Sequence, residues 1–341
     1  TPIVPNLLIA GPGGEVRRAD GGFADPGAGL RAYRTAFRHR GLGGAEALVL
    51  MPAARVRALL RGSHVAEKQP RGGDSLLNRR FLVAALDHQR SLAVLADLAA
   101  DPRELDPVER VVVVMPHFDD EVLQCGAALL AAREAGAEVR AIWLTDGARG
   151  IEGAAPEESA RVRHREGRAA LAELGVEDLH FLDAPETFLR RRGPWTRRLR
   201  RLLQEFAPQR VHSVWWGDNH VDHYEAFRVL RAAWPRGLQD CEIAASGAWT
   251  PVPGGRVVTI DPVRRAVKDR ALAAHASQLA QVDYRRVERG LARWYGRDLV
   301  DPGEAERFLC APAPELFAAY RASGADKRVF VGGGAARAAT G

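Results

Sequence analysis

The chain has 341 residues, of which 46% are hydrophobic and 27% are charged. This balance is typical of a globular protein and excludes a disordered or fibrous one. The formal net charge is +6 and comes mainly from arginine, but the basic residues are spread along the chain rather than held in one tract. Because nucleic-acid-binding proteins concentrate their positive charge on one face, we predict no nucleic-acid partner.

The chain contains three cysteines, Cys125, Cys241 and Cys310, and no C-x-x-C pair. This pattern indicates neither a disulfide framework nor a zinc site built from thiolates, and it favours a reducing compartment. No apolar run approaches the about 20 residues of a membrane span, and Thr1–Ala10 lacks the regions of a signal peptide. We therefore predict a cytoplasmic protein without stable membrane insertion.

Residues 1–105 are predicted to form an α-rich N-terminal extension. Turn-rich stretches such as Gly11–Gly14 and Gly21–Gly29 accompany helical segments near Ala45–Arg61 and Ser75–Ala100. The region holds no cluster of metal-ligating residues. We expect it to shape, cover or extend a substrate pocket rather than to react, and an accessory packing domain is the alternative.

Residues 106–325 show a regular pattern, because short β-branched runs alternate with longer segments of helical period. Such alternation is typical of parallel strands joined by crossover helices. The predicted strands are Val111–Met115, Val139–Leu144, Leu179–Leu182, Val211–Trp216, Glu242–Trp249 and Arg256–Ile260. We therefore predict an α/β, Rossmann-like domain, with a mostly parallel sheet and helices on both faces.

The end of this domain is predicted to be helical. Glycine and proline separate three helical stretches between Pro262 and Ser323, which would complete and cover the sheet. The remaining residues, 326–341, are rich in glycine and alanine and are predicted to form a flexible tail.

The first predicted strand of the domain runs into a cluster of ionisable residues, His117-Phe118-Asp119-Asp120-Glu121. The cluster follows the carboxyl end of a parallel strand and begins a helix, a position where ligands bind and carboxylates are favoured. His117 and Asp120 can both face one metal ion, while Asp119 points elsewhere and can take a proton from water. A helix cap is the alternative, but it explains one acid rather than three beside a histidine.

A second cluster, Asp218-Asn219-His220-Val221-Asp222-His223, follows the strand Val211–Trp216. Because parallel strands present their carboxyl ends at one edge of the sheet, the two clusters can meet in one cleft. A histidine of this cluster can then complete a site with three protein ligands and an open position, as catalytic zinc ions have. Unrelated loop histidines and helix caps are the alternative.

The paired motifs resemble those of the PIG-L/LmbE-like deacetylases, a Rossmann-like, zinc-dependent family that deacetylates N-acetylglucosaminyl groups. Further similar segments follow in the same order: Thr145-Asp146-Gly147, Arg163 and Glu166 ahead of Leu174-Gly175-Val176, Phe181-Leu182-Asp183, and Lys268 through His275-Ala276-Ser277-Gln278. The resemblance runs from about Glu109 to Gln278 and leaves the N-terminal extension outside.

The resemblance implies a role for each matching residue. The implied ligands of one zinc ion per chain are His117, Asp120 and His223. Asp119 is implied as the general base, and His220 as the group that stabilises the oxyanion or protonates the leaving amine. Asp222 would orient His220. Arg163 is implied to bind sugar hydroxyls, although a solvated arginine on an amphipathic helix gives the same pattern.

Two positions depart from the family pattern, since Phe118 and Val221 stand where proline is usual. The changes loosen the backbone at each turn but remove no reactive group, so they bear on the substrate more than on the chemistry.

In the expected chemistry, zinc polarises the acyl carbonyl and lowers the pKa of its bound water toward about 7. His220 is expected to act as an imidazolium, which donates to the developing oxyanion.

We therefore predict a zinc-dependent hydrolase that removes an N-acetyl or other acyl group from an amino sugar or glycoconjugate. The alternative is a catalytically silent sugar- or nucleotide-binding protein of the same fold, which would have lost a ligand or the base; the sequence shows neither loss. A two-metal phosphoesterase would need more clustered acids. The acylated substrate and the oligomeric state, including a homo-oligomer, are left open by the sequence.

Overall fold

The computed structural model describes residues 8–10, 16–18, 95, 103–218, 220–252, 254–297, 299 and 301–325. The chain divides into two compact units, Thr1–Ala93 and Val94–Gly341. In the first unit, strands β1 (Leu8–Ala10) and β2 (Val16–Arg18) pair antiparallel. The helical segments predicted within residues 1–105, apart from Leu95, and the tail predicted for 326–341 lie outside the described residues.

Among the described residues, the second unit is built on one eight-stranded sheet. Its strands are β3 (Arg103–Glu104), β4 (Arg110–Met115), β5 (Glu138–Thr145), β6 (Asp178–Ala184), β7 (Arg210–Val214), β8 (Glu242–Ser246), β9 (Arg256–Thr259) and β10 (Ala305–Pro312). Their spatial order is β3-β9-β10-β8-β7-β4-β5-β6, and only β10 runs antiparallel to its neighbours. The predicted mostly parallel sheet is confirmed.

Helices cover both faces of this sheet, as predicted. They are α1 (Asp120–Glu134), α2 (Pro156–Glu173), α3 (Pro194–Phe206), α4 (Val221–Ala233), α5 (Pro262–Ala273), α6 (Ala276–Leu279), α7 (Tyr284–Gly296) and α8 (Ala313–Ala322). On one face α5 packs against α1 and α2, and on the other α4 packs against α3. Phe227 of α4 also contacts Phe317 and Tyr320 of α8. Right-handed crossovers from a central strand place helices in this way.

The chain reverses direction across the sheet at its central strands. From β4 the sheet is extended by β5 and β6 on one side, and by β7 and β8 on the other. The reversal opens a crevice at the carboxyl ends of β4 and β7, which is the usual ligand site of such sheets. Both sequence clusters follow these two strands.

Strand β4 lies in the deepest part of the core. Each residue of Val111–Val114 is at most 1% exposed, and a continuous apolar run of this kind suits a strand covered on both faces. Phe118, just beyond the strand, packs against Trp143 and Phe181 with ring centroids 5.0 and 5.8 Å away. The residue that replaces the family's usual proline therefore ties the first cluster to the sheet.

Residues 262–323 differ from the prediction, because they contain strand β10 as well as helices. Ala305–Pro312 includes alanine, glutamate, arginine and leucine, which favour helices, so local propensity gives little signal for a strand. Backbone pairing with both β8 and β9 decides its conformation instead.

Replacing either of two helical glycines by alanine is expected to change the free energy of unfolding, in opposite directions at the two positions. Gly167 in α2 is buried, and a β-carbon there would lie 2.7 Å from Cδ1 of Phe118. At exposed Gly290 in α7, no described atom outside the helix's own backbone lies within 4 Å of that position. We expect Gly290→Ala to raise the free energy of unfolding by up to about 1 kcal/mol. We expect Gly167→Ala to lower it by about 1–3 kcal/mol, because the buried ring has no room to move.

Urea unfolding of both variants and the wild type measures these changes. A Gly167→Ala protein that is as stable as Gly290→Ala would contradict the close packing of α2 on Phe118.

Candidate metal centre and catalytic site

The two ionisable clusters meet at the carboxyl ends of β4 and β7. These strands pair in parallel, so the residues that follow them emerge at the same edge of the sheet. The ring centroid of His117 lies 4.7 Å from that of His220 and 5.3 Å from that of His223. Two motifs that are far apart in the chain therefore form a single site.

Asp120 lies between the two histidines that are predicted to bind metal. Its Oδ2 atom is 3.2 Å from Nδ1 of His117 and 3.3 Å from Nε2 of His223. In a tetrahedral zinc site with bonds of about 2.0–2.1 Å, neighbouring ligand atoms are about 3.3–3.4 Å apart. Both separations therefore match those of ligands around one small cation.

A carboxylate holds the other nitrogen of each histidine. Nε2 of His117 lies 3.1 Å from Oδ2 of Asp222, and Nδ1 of His223 lies 2.7 Å from Oδ2 of Asp218. Such carboxylates fix the tautomer and the orientation of metal-binding imidazoles. Nε2 of His223 is buried and makes no hydrogen bond with the described residues. These side chains therefore fit a metal ion.

The charges of the cluster also favour a cation. Burial lowers the pKa of His223, but Asp120 and Asp218 together raise it to about 9. Asp120 and Asp222 likewise outweigh burial at His117 and hold its pKa well above the ordinary value. Burial raises the pKa of Asp120, yet the two histidines keep it well below its usual range. A bound metal ion satisfies the same carboxylates in place of protons.

His220 borders the same space but has different surroundings. One ligand atom from each of His117, His220 and His223 lies within 4.8 Å of the others. Nδ1 of His220 accepts the backbone N–H of Asp222 at 3.2 Å, which leaves Nε2 as the protonated nitrogen of the neutral ring. Burial, followed by the two neighbouring histidines, lowers the pKa of His220 to about 3. The expected imidazolium is therefore disfavoured by desolvation.

The carboxylate of Asp222 contacts His117 rather than His220. Its Oδ2 atom also accepts the backbone N–H of Thr187 at 2.8 Å. Among the hydrogen bonds of the described residues, Asp222 therefore contacts His220 only through its backbone N–H. The family resemblance implies that Asp222 orients His220, but two different groups of Asp222 orient two different histidines. The carboxylate orients the predicted ligand His117, and the backbone N–H orients His220.

Asp119 adopts a backbone conformation that residues other than glycine rarely take. Its φ is 129°, and such a conformation costs about 1–3 kcal/mol. The N–H of Asp119 donates to Oε2 of Glu121 at 3.0 Å, and the same oxygen accepts the indole N–H of Trp143. The other oxygen of Glu121 lies 3.2 Å from Nε2 of His275. This buried glutamate therefore fixes the turn that presents Asp119.

The surroundings of Asp119 suit a general base. Burial raises its pKa to about 6, against the effect of Arg163, whose Nη2 lies 3.2 Å from Oδ2 of Asp119. A general base is most effective when its pKa lies near the working pH.

Arg163 is held between two carboxylates and is only 2% exposed. Its Nη1 lies 3.4 Å from Oε2 of Glu166, which in turn accepts the hydroxyl of Ser277 at 2.7 Å. The predicted contact of Arg163 with sugar hydroxyls stays a prediction. In the structure, the guanidinium of Arg163 pairs with Asp119 and Glu166.

Sequence reasoning assigned no role to Asp218 or Gln124. Asp218 accepts three backbone N–H groups, from residues 248–250. Gln124 donates to Oδ1 of Asp120 at 2.9 Å. The contact between Gln124 and Asp120 has a local signal, because the two residues are four apart on a helix. The contacts of Asp218 depend on a loop about 30 residues away in sequence, which leaves no local signal.

The fold and the site agree with a known family. The family model of PIG-L, described as GlcNAc-PI de-N-acetylase, matches residues 112–234. This segment includes both clusters and the strands that carry them. Residues 112–234 therefore match a PIG-L domain.

Two relatives have named activities. The 1D-myo-inositol 2-acetamido-2-deoxy-alpha-D-glucopyranoside deacetylase of Kineococcus radiotolerans is 37% identical over 121 residues, which cover 30% of this chain and 34% of that protein. The diacetylchitobiose deacetylase of Thermococcus kodakarensis is 27% identical over 215 residues, which cover 56% of this chain and 79% of that protein. The chain thus spans about a third of the first relative's length.

A solved structure supports the fold. The N,N'-diacetylchitobiose deacetylase from Pyrococcus horikoshii matches with a TM-score of 0.56 and 20% sequence identity, covering 74% of this chain and 97% of that chain. This likeness confirms the predicted fold class. Within the described residues, no helix has both the length and the apolar character needed to cross a bilayer.

The contact between Asp218 and His223 predicts an effect on metal binding. We expect Asp218→Asn to weaken the affinity for zinc by about 10–100-fold, because it removes the carboxylate that orients the imidazole. Asp178→Asn is the matched control, since Asp178 is 40% exposed and pairs with Arg140 at the start of β6. Competition with a chelating indicator measures both affinities. Equal affinity in the two variants would contradict the role of this contact.

Proposed function

We propose that this protein is a metal-dependent N-deacetylase, which hydrolyses the amide that links an acetyl group to the nitrogen of an amino sugar. The proposal is carried by the buried cluster in which Asp120 lies between His117 and His223, with Asp119 beside it. The cluster combines side chains that fit a cation with a buried carboxylate whose pKa is raised to about 6, and amide hydrolysis by activated water uses both a metal ion and a base. The PIG-L domain and the two deacetylase relatives support the same reaction.

The metal in this proposal is zinc, one ion per chain, held by His117, Asp120 and His223. Nitrogen and oxygen donors without cysteine suit a catalytic zinc site, which typically keeps one position open. When bound by these residues, zinc would supply Lewis acidity to polarise the amide carbonyl and to lower the pKa of a water molecule.

Asp119 moves the proton in the proposed reaction. It takes a proton from the water whose oxygen attacks the acetyl carbon, and it passes that proton to the amine nitrogen as the C–N bond breaks. The products are acetate and the free amine. The contact with Arg163 opposes the rise in pKa caused by burial, so that the carboxylate is largely ionised at neutral pH.

His220 stabilises the oxyanion in this proposal. Its neutral ring carries a proton on Nε2, which can donate to the carbonyl oxygen as negative charge develops there. Protonation of the leaving amine by His220, the other role that the family resemblance implies, is less favoured because burial lowers the pKa of this ring and so disfavours the imidazolium that would donate. Asp119 therefore supplies that proton.

The substrate class follows from the named relatives. One carries a 2-acetamido-2-deoxyglucopyranoside in its name, and the other carries diacetylchitobiose. We infer an N-acetylglucosaminyl unit of a glycoconjugate as the substrate here. A silent binding protein of the same fold is not favoured, since His117, Asp119, Asp120 and His223 are all present. The cytoplasmic location, a homo-oligomer and the pocket-shaping role of residues 1–105 stay predictions.

The proposed reaction is tested by acetate release from a panel of N-acetyl sugars. We expect purified protein to contain about one zinc per chain and to release acetate from an N-acetylglucosaminyl substrate, with loss of both after chelation. Zinc analysis and an enzymatic acetate assay measure the two. If the zinc-loaded protein binds a sugar of the panel tightly but releases no acetate from it, the result would favour the alternative of a silent binding protein.

The base is tested by Asp119→Asn. We expect this variant to keep its zinc and to lose about 10²–10⁴-fold in kcat, because the amide accepts no proton from water. Asp183→Asn is the matched control, since Asp183 also has a positive φ but is 53% exposed. Near wild-type turnover by Asp119→Asn would show that another group is the base.

The zinc content of alanine variants distinguishes the roles of the two histidines of the second cluster. We expect His223→Ala to lose most of its zinc, whereas His220→Ala should keep it and lose about 10²-fold or more in kcat, the scale of a missing oxyanion donor. Zinc content and kcat of each variant are measured side by side. The reverse pattern would show that the two residues exchange roles.

A further inference from the structure

Helix α1 is broken five residues after Asp120. Within Asp120–Glu134, Cys125 has φ −144° and ψ 18°, which are not helical values. A break of this kind leaves backbone groups on both sides to be satisfied by other partners. The first segment carries Asp120, and the second continues against the sheet.

A buried ion pair supplies partners on both sides of the break. The carboxylate of Glu306, on β10, accepts the N–H groups of Ala127 and Ala128, each at 2.9 Å. The ammonium of Lys268, on α5, lies 3.4 Å from the carbonyl oxygen of Leu123 and donates to Glu306. The carboxylate therefore accepts N–H groups of the helical segment after the break, and the ammonium lies near a carbonyl oxygen of the segment before it.

Stability alone does not account for this pair. Lys268 is 1% exposed and Glu306 is 3% exposed, and Lys268 also contacts the buried Glu288 at 2.8 Å. Burial lowers the pKa of Lys268, but Glu288 and Glu306 raise it overall, so the ammonium stays charged. Replacing buried ion pairs by apolar residues is often neutral or stabilising, because desolvation offsets their attraction. A positional role is therefore the better explanation.

The break is coupled to the metal site through Gln124. This residue, the last before Cys125, donates to Oδ1 of Asp120 at 2.9 Å and accepts the hydroxyl of Ser246 at 3.1 Å. Gln124 and Lys268 line one small cavity. The direction of the first helical segment therefore sets where Gln124 and Asp120 point.

We propose that the ion pair of Lys268 and Glu306 is a positioning device that holds the break in α1 and thereby aims Asp120 at the metal. The inference rests on the proposed zinc site. Neither residue touches the reacting atoms. Their effect reaches the site through the backbone of α1 and the amide of Gln124.

Glu306→Gln tests this inference in the full chain. It keeps one oxygen for Ala127 but places an amide N–H₂ group near the N–H of Ala128, so the break loses a partner. We expect the affinity for zinc to fall by about tenfold, on the scale of residues behind metal ligands. We also expect kcat to fall while KM changes by less than about twofold, because substrate contacts are untouched.

The double variant Lys268→Met/Glu306→Gln separates position from stability. It removes both charges of the pair, and Glu288 keeps its ion pair with Arg265, so we expect it to regain most of the melting temperature that Lys268→Met alone loses. Its zinc affinity should stay about tenfold below that of the wild type, because methionine cannot donate to Leu123. If Glu306→Gln does not fold, this variant decides the question.

Glu242→Gln is the matched control. It breaks a mostly buried pair with Arg210, whose Nε lies 2.7 Å from Oε2 of Glu242, at the amino ends of β7 and β8 and away from the metal site. We expect it to lower the melting temperature and to leave zinc affinity unchanged. Circular dichroism confirms folding, and chelator competition gives the affinities.

The outcomes distinguish this inference from the proposed function. Wild-type zinc affinity and kcat in the folded Glu306→Gln or double variant would overturn the positioning role alone. An equal loss of zinc affinity in Glu242→Gln would also overturn it, because any buried ion pair would then have the same effect. Wild-type protein that binds no zinc would instead overturn the proposed metal site, and the inference with it.

Discussion

One carboxylate oxygen organises the site. Oδ2 of Asp120 faces a nitrogen of His117 on one side and a nitrogen of His223 on the other. Asp218 and Asp222 hold the far nitrogens of the same rings, so three carboxylates meet two imidazoles in a buried space. Uncompensated charge in such a place costs several kcal/mol. The cluster is therefore stable only with positive charge at its centre, from protons or from a metal ion.

The fold supplies this arrangement from distant segments. β4 and β7 deliver the histidines to one edge of the sheet, and loops from elsewhere anchor the carboxylates behind them. Thr187 donates to Asp222, and residues 248–250 donate to Asp218. These loops also carry the exposed aromatic side chains Phe188 and Trp249. The segments that fix the imidazoles therefore also face solvent.

The sequence predicted the parts of the site that depend on local pattern. β-branched runs located the strands, and the clusters after two of them located the histidines and carboxylates, because strand direction alone places both at one edge. The contacts of Asp218 and Asp222 depend on side-chain packing between loops, which no local pattern encodes. The sequence did not predict strand β10, because many of its residues favour helices and its extended conformation depends on pairing with β8 and β9. The lowered pKa of His220 likewise follows first from burial, which the sequence does not give.

Asp119 and Asp120 show how the fold gives adjacent identical side chains different properties. Burial raises the pKa of both, but only Asp120 has two imidazoles close enough to reverse the effect, so the two pKa values move in opposite directions. The φ of 129° at Asp119 lets its carboxylate pair with Arg163 while its neighbour faces the histidines. Pairs of titratable groups whose surroundings drive their pKa values apart are characteristic of acid–base sites. The backbone strain at Asp119 is thus the local cost of giving the proposed proton carrier and the proposed metal ligand different surroundings within one turn.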